Sequence, residues 1–257
     1  MTVLAYRFLL ASLVTWPLAL RSGHTKLPPL RIAGFVLMGF LYVIESTLYL
    51  LSTLYVPIAL TSISLYLYPA CVTLLARLFL REALTKRKIL ALVIALVGAV
   101  LTVGAPGASV NVIGVGLGLG CCAVYSVYLI IGAKLQPGVP ALTAAAYIQL
   151  SGGVIALVLG LMALPLGLPS FAFVPVTDAR TLLLIALMAV FATALPILSL
   201  LTSIQRIGAS LASILSMTEL VATAIFGVLA FGELLQPVQW LGGALVIVAV
   251  VMLSVQR

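Results

Sequence analysis

Five carboxylates and a single histidine supply the acid–base chemistry of this 257-residue chain. His24 stands beside Lys26 in a polar stretch, so no metal triad, His-activated nucleophile or carboxylate pair can be assembled. Cys71, Cys121 and Cys122 fall inside apolar segments without metal-ligand spacing and read as small core residues. The glycine-rich run 114–120 also lies within an apolar segment, where small residues permit close helix contact rather than phosphate binding. The reading is of a chain with no catalytic residue, no metal and no cofactor, and not an enzyme. Without a nucleotide site, any pumping must draw on a gradient.

Two carboxylates do sit inside long apolar runs, where an ionised group is costly and is a functional candidate by default. Glu45 belongs to a stripe in which Tyr42, Glu45/Ser46, Tyr49 and Ser52/Thr53 recur at three-and-four spacing. Such a stripe faces either a cavity or a neighbouring helix that it glues by hydrogen bonds. Glu219 has Ser213 and Ser216 above it and Thr223 below. It either lines a pathway or pairs structurally, for example with Arg7 or a backbone carbonyl. Tyr66 stands about one turn from Ser62, and Tyr125, Tyr128 and Gln149 are lesser candidates. Arg77 reads as a snorkelling residue at a helix end. The candidate solute-binding set is Tyr42, Glu45, Tyr49, Ser62, Tyr66, Tyr125, Gln149 and Glu219.

The elements that must hold these residues follow from composition. Hydrophobic residues make up 64% of the chain and charged residues 7%, against roughly a quarter charged in soluble domains; mean hydropathy is +1.36. The chain reads as an all-α integral membrane protein. Its apolar segments have the length of helices crossing a ~30 Å hydrocarbon core, not of barrel strands. Nine spans can be counted, at 3–20, 32–55, 58–80, 88–104, 112–133, 141–164, 181–204, 209–231 and 238–255. Pro and Gly punctuate the short connections, among them Pro106-Gly107. The first span runs from Arg7 into Arg21 without a small-residue cleavage site and reads as a retained helix.

The net charge of +8 resides mostly in loops on one side, which argues for membrane orientation rather than a nucleic-acid partner. Loops 21–31 and 81–88, with Lys134, Arg206 and Arg257, share that side; Arg180, Asp178 and Glu233 lie opposite. The basic side, including the C-terminus, is therefore expected to be cytoplasmic.

The core segment 58–88 has a second copy at 209–239, which sets Ser62-Ile63 over Ser213-Ile214, Glu82 over Glu233 and Leu90 over Leu241. The same shift sets Tyr68 over Glu219 and Glu45 over Pro196, which frees a backbone carbonyl in the seventh span. Pro69 is expected to interrupt the first core helix. The loop after the first copy is basic and that after the second is not, so the copies face opposite ways. Weak similarity with inverted charge bias marks the inverted-topology repeats of secondary transporters. Residues 1–108 form the first repeat with four spans, and 109–257 the second with five. Glu82 and Glu233, being repeated at helix ends, read as a helix-end contact or gate rather than solute ligands.

The small-residue starts IALTSIS and GASLASI, Tyr-Pro at 68–69, Glu-Leu at 219–220, and Glu82 and Glu233 resemble the EamA-like branch of the drug/metabolite transporter superfamily. Pro69 to Glu82 fits that family's spacing; Leu220 stands where proline is common in the second copy. The opening YRFLLASL is similar to the family's second helix, so a first helix is expected to be missing. The resemblance implies a ten-helix bundle of two inverted five-helix repeats, in an inner bacterial membrane. It implies a carrier, often an exporter, of amino acids or other small metabolites through a central cavity. The partners implied are a small solute and the lipid bilayer; a homodimer is compatible with such a chain. A passive channel and a non-transporting assembly subunit are the alternatives.

Overall fold

In lipid a backbone has no hydrogen-bond partner but itself, so long apolar runs with few charges resolve into helices. The computed structural model describes residues 1–103, 111–231 and 235–254, and among these there is no strand. Pro106, Gly107, Glu233 and Arg257 lie outside the described residues. The helices are α1 (Thr2–Arg21), α2 (Pro29–Ser52), α3 (Ile58–Leu65), α4 (Tyr68–Phe79), α5 (Lys86–Val103) and α6 (Val112–Leu135). They continue as α7 (Ala141–Ala163), α8 (Ala179–Ala189), α9 (Leu195–Ile207), α10 (Ala209–Ser216), α11 (Thr218–Phe231) and α12 (Pro237–Ser254).

Among the described residues, seven helical passes are long and apolar enough to cross a membrane: α1, α2, α3 with α4, α6, α7, α8 with α9, and α10 with α11. Helix α12 is apolar but shorter, and α5 opens on Lys86-Arg87-Lys88. With α5 and α12 the helices correspond one for one to the nine apolar segments counted from the sequence, in an all-α membrane protein.

The chain packs as two compact units: unit 1 is Met1–Ile44 with Ile131–Arg206, and unit 2 is Glu45–Ile130 with Ile207–Arg257. Each unit therefore draws helices from both halves of the sequence. Within unit 2, α5 and α12, which the repeat sets over one another, pack along their length. Their interface is built from small residues, Ala91, Ala95 and Ala99 against Val246 and Ala249, because close backbone approach rather than apolar burial drives helix association in lipid. A Cβ on Gly242 would collide with the Thr102 amide nitrogen and stand 2.7 Å from the Gly98 carbonyl oxygen. Within unit 1, α1 and α7 pack in the same manner. A Cβ on Gly153 would lie 2.8 Å from the Leu9 side chain, and Thr15 donates to Gln149 Oε1 at 2.7 Å.

The first core helix is interrupted beside Pro69, as expected, with the gap on the N-terminal side of the proline. Helix α3 ends at Leu65, and Tyr66 and Leu67 form the break. Pro69 sits in the first turn of α4, where a missing N–H costs nothing because first-turn donors have no helical acceptor. In the second copy α10 ends at Ser216 and α11 begins at Thr218, broken at Met217 without any proline. The expected weakness near Pro196 is real: a π-helical turn, Val190–Ala194, precedes it between α8 and α9. Thr193 Oγ1 donates to the Met188 carbonyl there, at 3.4 Å.

Candidate functional site

Unit 2 gathers six of the eight candidates: Glu45, Tyr49, Ser62, Tyr66, Tyr125 and Glu219. Their positions follow from the two broken core helices. Tyr66 Nα still bonds the Ser62 carbonyl at 2.8 Å, but the chain then restarts, with Ala70 Nα on the Leu67 carbonyl at 3.0 Å. The second break repeats this pattern, with Met217 Nα on Ile214 at 3.1 Å and Leu220 Nα on Met217 at 3.1 Å. Each break thus starts a new half-helix mid-pass, opening on Tyr68 in one copy and carrying Glu219 in its first turn in the other. Helix N-termini carry partial positive charge, which favours the Glu219 carboxylate at that place.

Glu219 is exposed and accepts no hydrogen bond among the described residues, whereas Tyr68 is buried. Tyr66 and Tyr68 both lie within electrostatic reach of Glu219, and Tyr66 is also within reach of Tyr49. The Tyr68 hydroxyl donates to the Ser213 carbonyl at 3.3 Å, tying α4 to α10. Tyr125 meets the Tyr68 ring edge-on at 4.9 Å and stacks on Tyr128 at 5.7 Å. The result is an aromatic and hydroxyl-rich wall beside one exposed carboxylate. Such a wall can hold a small polar or aromatic solute by stacking and hydrogen bonding; it has no nucleophile–base pair.

The α2 stripe divides its work. Tyr49 Oη and Ser62 Oγ share a hydrogen bond of 3.0 Å, and Ser52 Oγ pairs with Thr61 Oγ1 at 2.8 Å while donating to the Gly114 carbonyl. These are the interhelical bonds of the glue reading. Glu45 is buried, and its carboxylate accepts from Ser46 Oγ at 3.1 Å and from Cys121 Sγ at 3.4 Å. Tyr42 and Gln149 belong to unit 1 instead. There Tyr42 lies against Arg7 and Phe8, and Gln149 is fully buried on Thr15.

Glu82 proves to be a helix-end contact. Its carboxylate accepts from the backbone nitrogens of Ala209, at 2.8 Å, and Ser210, at 3.3 Å, capping α10. Lys88 Nζ stands 3.6 Å from the same group. Sequence reasoning missed Tyr68 as a site residue, although its alignment with Glu219 was the signal that could have found it. Among the described residues, no group of three or more His, Cys, Asp or Glu could hold a metal ion.

Comparison with known proteins agrees with this architecture. A solved crystal structure superposes with a TM-score of 0.80 at 18% identity, over 98% of this chain and 86% of the other, which establishes a shared fold. A comparison with curated proteins finds no match. The EamA-like transporter family matches residues 1–104 and 112–255, two segments that together take in almost the whole sequence. The chain belongs to the EamA-like transporter family, and so to the membrane transporters of the drug/metabolite superfamily.

Proposed function

We propose that this chain is a secondary transporter that exports a small, amino acid-like metabolite by alternating access. The observation that carries the reading is the break recurring at equivalent points, Tyr66-Leu67 and Met217, with Glu219 exposed at the second. A carboxylate exposed in the middle of a span cannot face lipid cheaply, so the space it faces holds water or solute. Interrupted helices whose new N-termini open near the midplane are how carriers of this kind build a solute site. Tyr49, Ser62, Tyr66 and Tyr125 supply hydroxyls and rings, and Glu219 supplies a charge suited to a solute ammonium group or to a coupling proton. The family and the one-sided basic loops support a bacterial inner membrane with the C-terminus in the cytoplasm.

The test is efflux from cells preloaded with a labelled panel of amino acids and small metabolites, comparing the chain with Glu219→Gln. Saturable efflux of a narrow set of solutes is expected. In the variant it should fall with little change in the amount or melting midpoint of folded protein. Flux that rises linearly with concentration and ignores imposed gradients would make the chain a passive pore. A collapse of stability with unchanged flux per folded molecule would make Glu219 structural.

A further inference from the structure

The end of unit 1 that carries the basic loops holds a cavity of about 600 Å³. Its walls come from three places in the chain: His24 between α1 and α2, Gln136, Gly138 and Val139 between α6 and α7, and Ile204 and Gln205 in the last turn of α9. All of these residues belong to unit 1. Hydrogen bonds fix the walls. Thr143 Oγ1 donates to the His24 carbonyl at 3.2 Å and the Tyr147 hydroxyl to the Thr25 carbonyl at 3.0 Å, which pins the His24 loop to α7. Gln205 Nε2 donates to the Val139 carbonyl at 2.7 Å and joins α9 to the other loop. His24, Gly138 and Gln205 are exposed, so the cavity opens at that end of the unit.

Its inner polar group is Gln136. This residue is 2% exposed, and neither Oε1 nor Nε2 of its amide has a hydrogen-bond partner among the described residues. A buried amide with both ends unmet is costly; in a cavity wall it is met by a group that accepts at one end and donates at the other. Arg31, in the first turn of α2, stands at the rim: a Cβ on Gly138 would lie 4.0 Å from its Nη1. The Arg31 side chain makes no hydrogen bond or ion pair among the described residues. His24 Nδ1 lies 2.6 Å from the Ser22 carbonyl, which can only accept, so Nδ1 carries a proton and Nε2 is left for a further partner. Lys26, Lys134 and Arg206 add exposed positive charge at the same end. On the helices concerned the carboxylates are distant. Glu45 lies fourteen residues beyond Arg31 along α2, roughly 21 Å, and Asp178 caps the far end of the pass formed by α8 and α9.

We propose that this cavity binds a phosphoglycerol group, with Arg31 gripping the phosphate and the Gln136 amide reading the phosphate together with the neighbouring hydroxyl. A guanidinium offers paired donors to phosphate oxygens. The amide Nε2 donates to a further phosphate oxygen, and Oε1 accepts from the glycerol hydroxyl. Basic pockets between membrane helices on the cytoplasmic side take anionic lipid head groups, and charge bias puts this end in the cytoplasm. The phosphoglycerol can therefore belong to an anionic phospholipid or to a soluble glycerol phosphate. The site lies within unit 1, whereas the Glu219 wall belongs to unit 2, and the inference stands without the transporter reading.

The full chain in a phosphate-free maltoside micelle would be melted with phosphatidylglycerol, with phosphatidylcholine of the same acyl chains, and with glycerol 3-phosphate. Phosphatidylglycerol or glycerol 3-phosphate should raise the melting midpoint, and phosphatidylcholine should not. An effect of the lipid alone assigns the group to a head group; an effect of glycerol 3-phosphate assigns it to a soluble ester. Arg31→Gln should weaken the effective probe roughly tenfold or more, the worth of a charge-assisted hydrogen bond, and Gln136→Leu about fivefold, the worth of a neutral one. Without any probe, Gln136→Leu should melt no lower than the wild type, because the amide it removes bonds nothing in the protein. Should Arg31→Gln fail to fold, Gln136→Leu carries the test. Equal effects of phosphatidylglycerol and phosphatidylcholine, or no effect of phosphatidylglycerol and glycerol 3-phosphate, would overturn the proposal. So would a midpoint shift that survives either substitution at full size, or a lower probe-free midpoint in Gln136→Leu.

Discussion

Gly208→Ala is the perturbation that tests the helix-end contact most sharply. Gly208 adopts φ 83° and ψ 167° immediately before α10, a region nearly reserved for glycine, where any other residue costs about 1–3 kcal/mol. The methyl group meets a second obstacle. Its carbon would stand 2.8 Å from Glu82 Oε1 and 3.2 Å from the carboxyl carbon. The carboxylate would have to withdraw from the Ala209 and Ser210 nitrogens, leaving the first donors of α10 without an acceptor. Losing an N-terminal cap costs about 0.5–2 kcal/mol. The two effects combine to roughly 2–5 kcal/mol for Gly208→Ala, against the cap portion alone for Glu82→Ala.

The measurement is reversible unfolding of the full chain in one fixed mixed-micelle composition, followed by tryptophan fluorescence, for both single variants and the double variant. Because the clash needs the carboxylate, Gly208→Ala should cost less in the Glu82→Ala background than in the wild type, and what remains is the backbone term. The reasoning is refuted if Gly208→Ala stays within about 0.5 kcal/mol of wild type, the range of an uninvolved surface site. It is refuted equally if the cost of Gly208→Ala is the same with and without Glu82, since the two residues would then not share the contact.

Other positions give independent checks. Gly242→Ala places a Cβ against the backbone of α5 at Thr102 and Gly98, which cannot swing aside, and folded yield should fall steeply. Gly243→Ala, with the Val221 side chain 3.8 Å away, should be tolerated in the same size-exclusion assay. Thr181 donates to Asp178 through both its backbone nitrogen and its hydroxyl, which holds the exposed carboxyl below the usual aspartate value. The cap is therefore at full strength above that usual value and is lost as pH falls through the lowered one. The protection factor of the Thr181 amide should drop over that acidic window in the wild type and be low at every pH in Asp178→Ala. Single cysteines placed in loop 81–88 and at 235–236 should label from opposite faces of the membrane; labelling from one face would overturn the inverted arrangement.

How legible the protein was depended on what each signal physically reports. Composition exposes a membrane chain because 7% charged residues cannot cover a water-facing surface. Charge bias and a faint repeat exposed the kinship of 58–88 with 209–239 because both survive divergence better than identity does. Proline marked the first break because it cannot bond the Leu65 carbonyl, so the first half ends there and Pro69 sits in the first turn of the next, which tolerates the missing donor. The second break, at Met217, carries no local mark, and no sequence expectation placed it. Spacing on α2 gave the face on which Tyr42, Glu45, Tyr49 and Ser52 lie but not their partners, since periodicity is a property of one helix and a hydrogen bond belongs to two. Hence Tyr49 and Ser52 turn out bonded to α3, Tyr42 sits with Arg7, and Gln149 Oε1 accepts from Thr15.

That difference between spent and available polar groups separates glue from site in a chain this apolar. Most buried hydroxyls in a span find a partner, so the presence of one alone says nothing about solute. Ser52 donates to the Gly114 carbonyl and shares a bond with Thr61, so both hydroxyl protons are spent. Tyr49 and Ser62 share one bond in which either oxygen can donate, so a solute can exchange into that pair without stranding a group. Glu219 is exposed with no acceptor role filled among the described residues, and Tyr66 lies within its field. Ranked by availability, Glu219 and Tyr66 come first, Tyr49 and Ser62 next, and Ser52 and Thr61 last. Substitutions should follow the same order in their effect on flux per folded molecule, and the reverse order in their effect on stability.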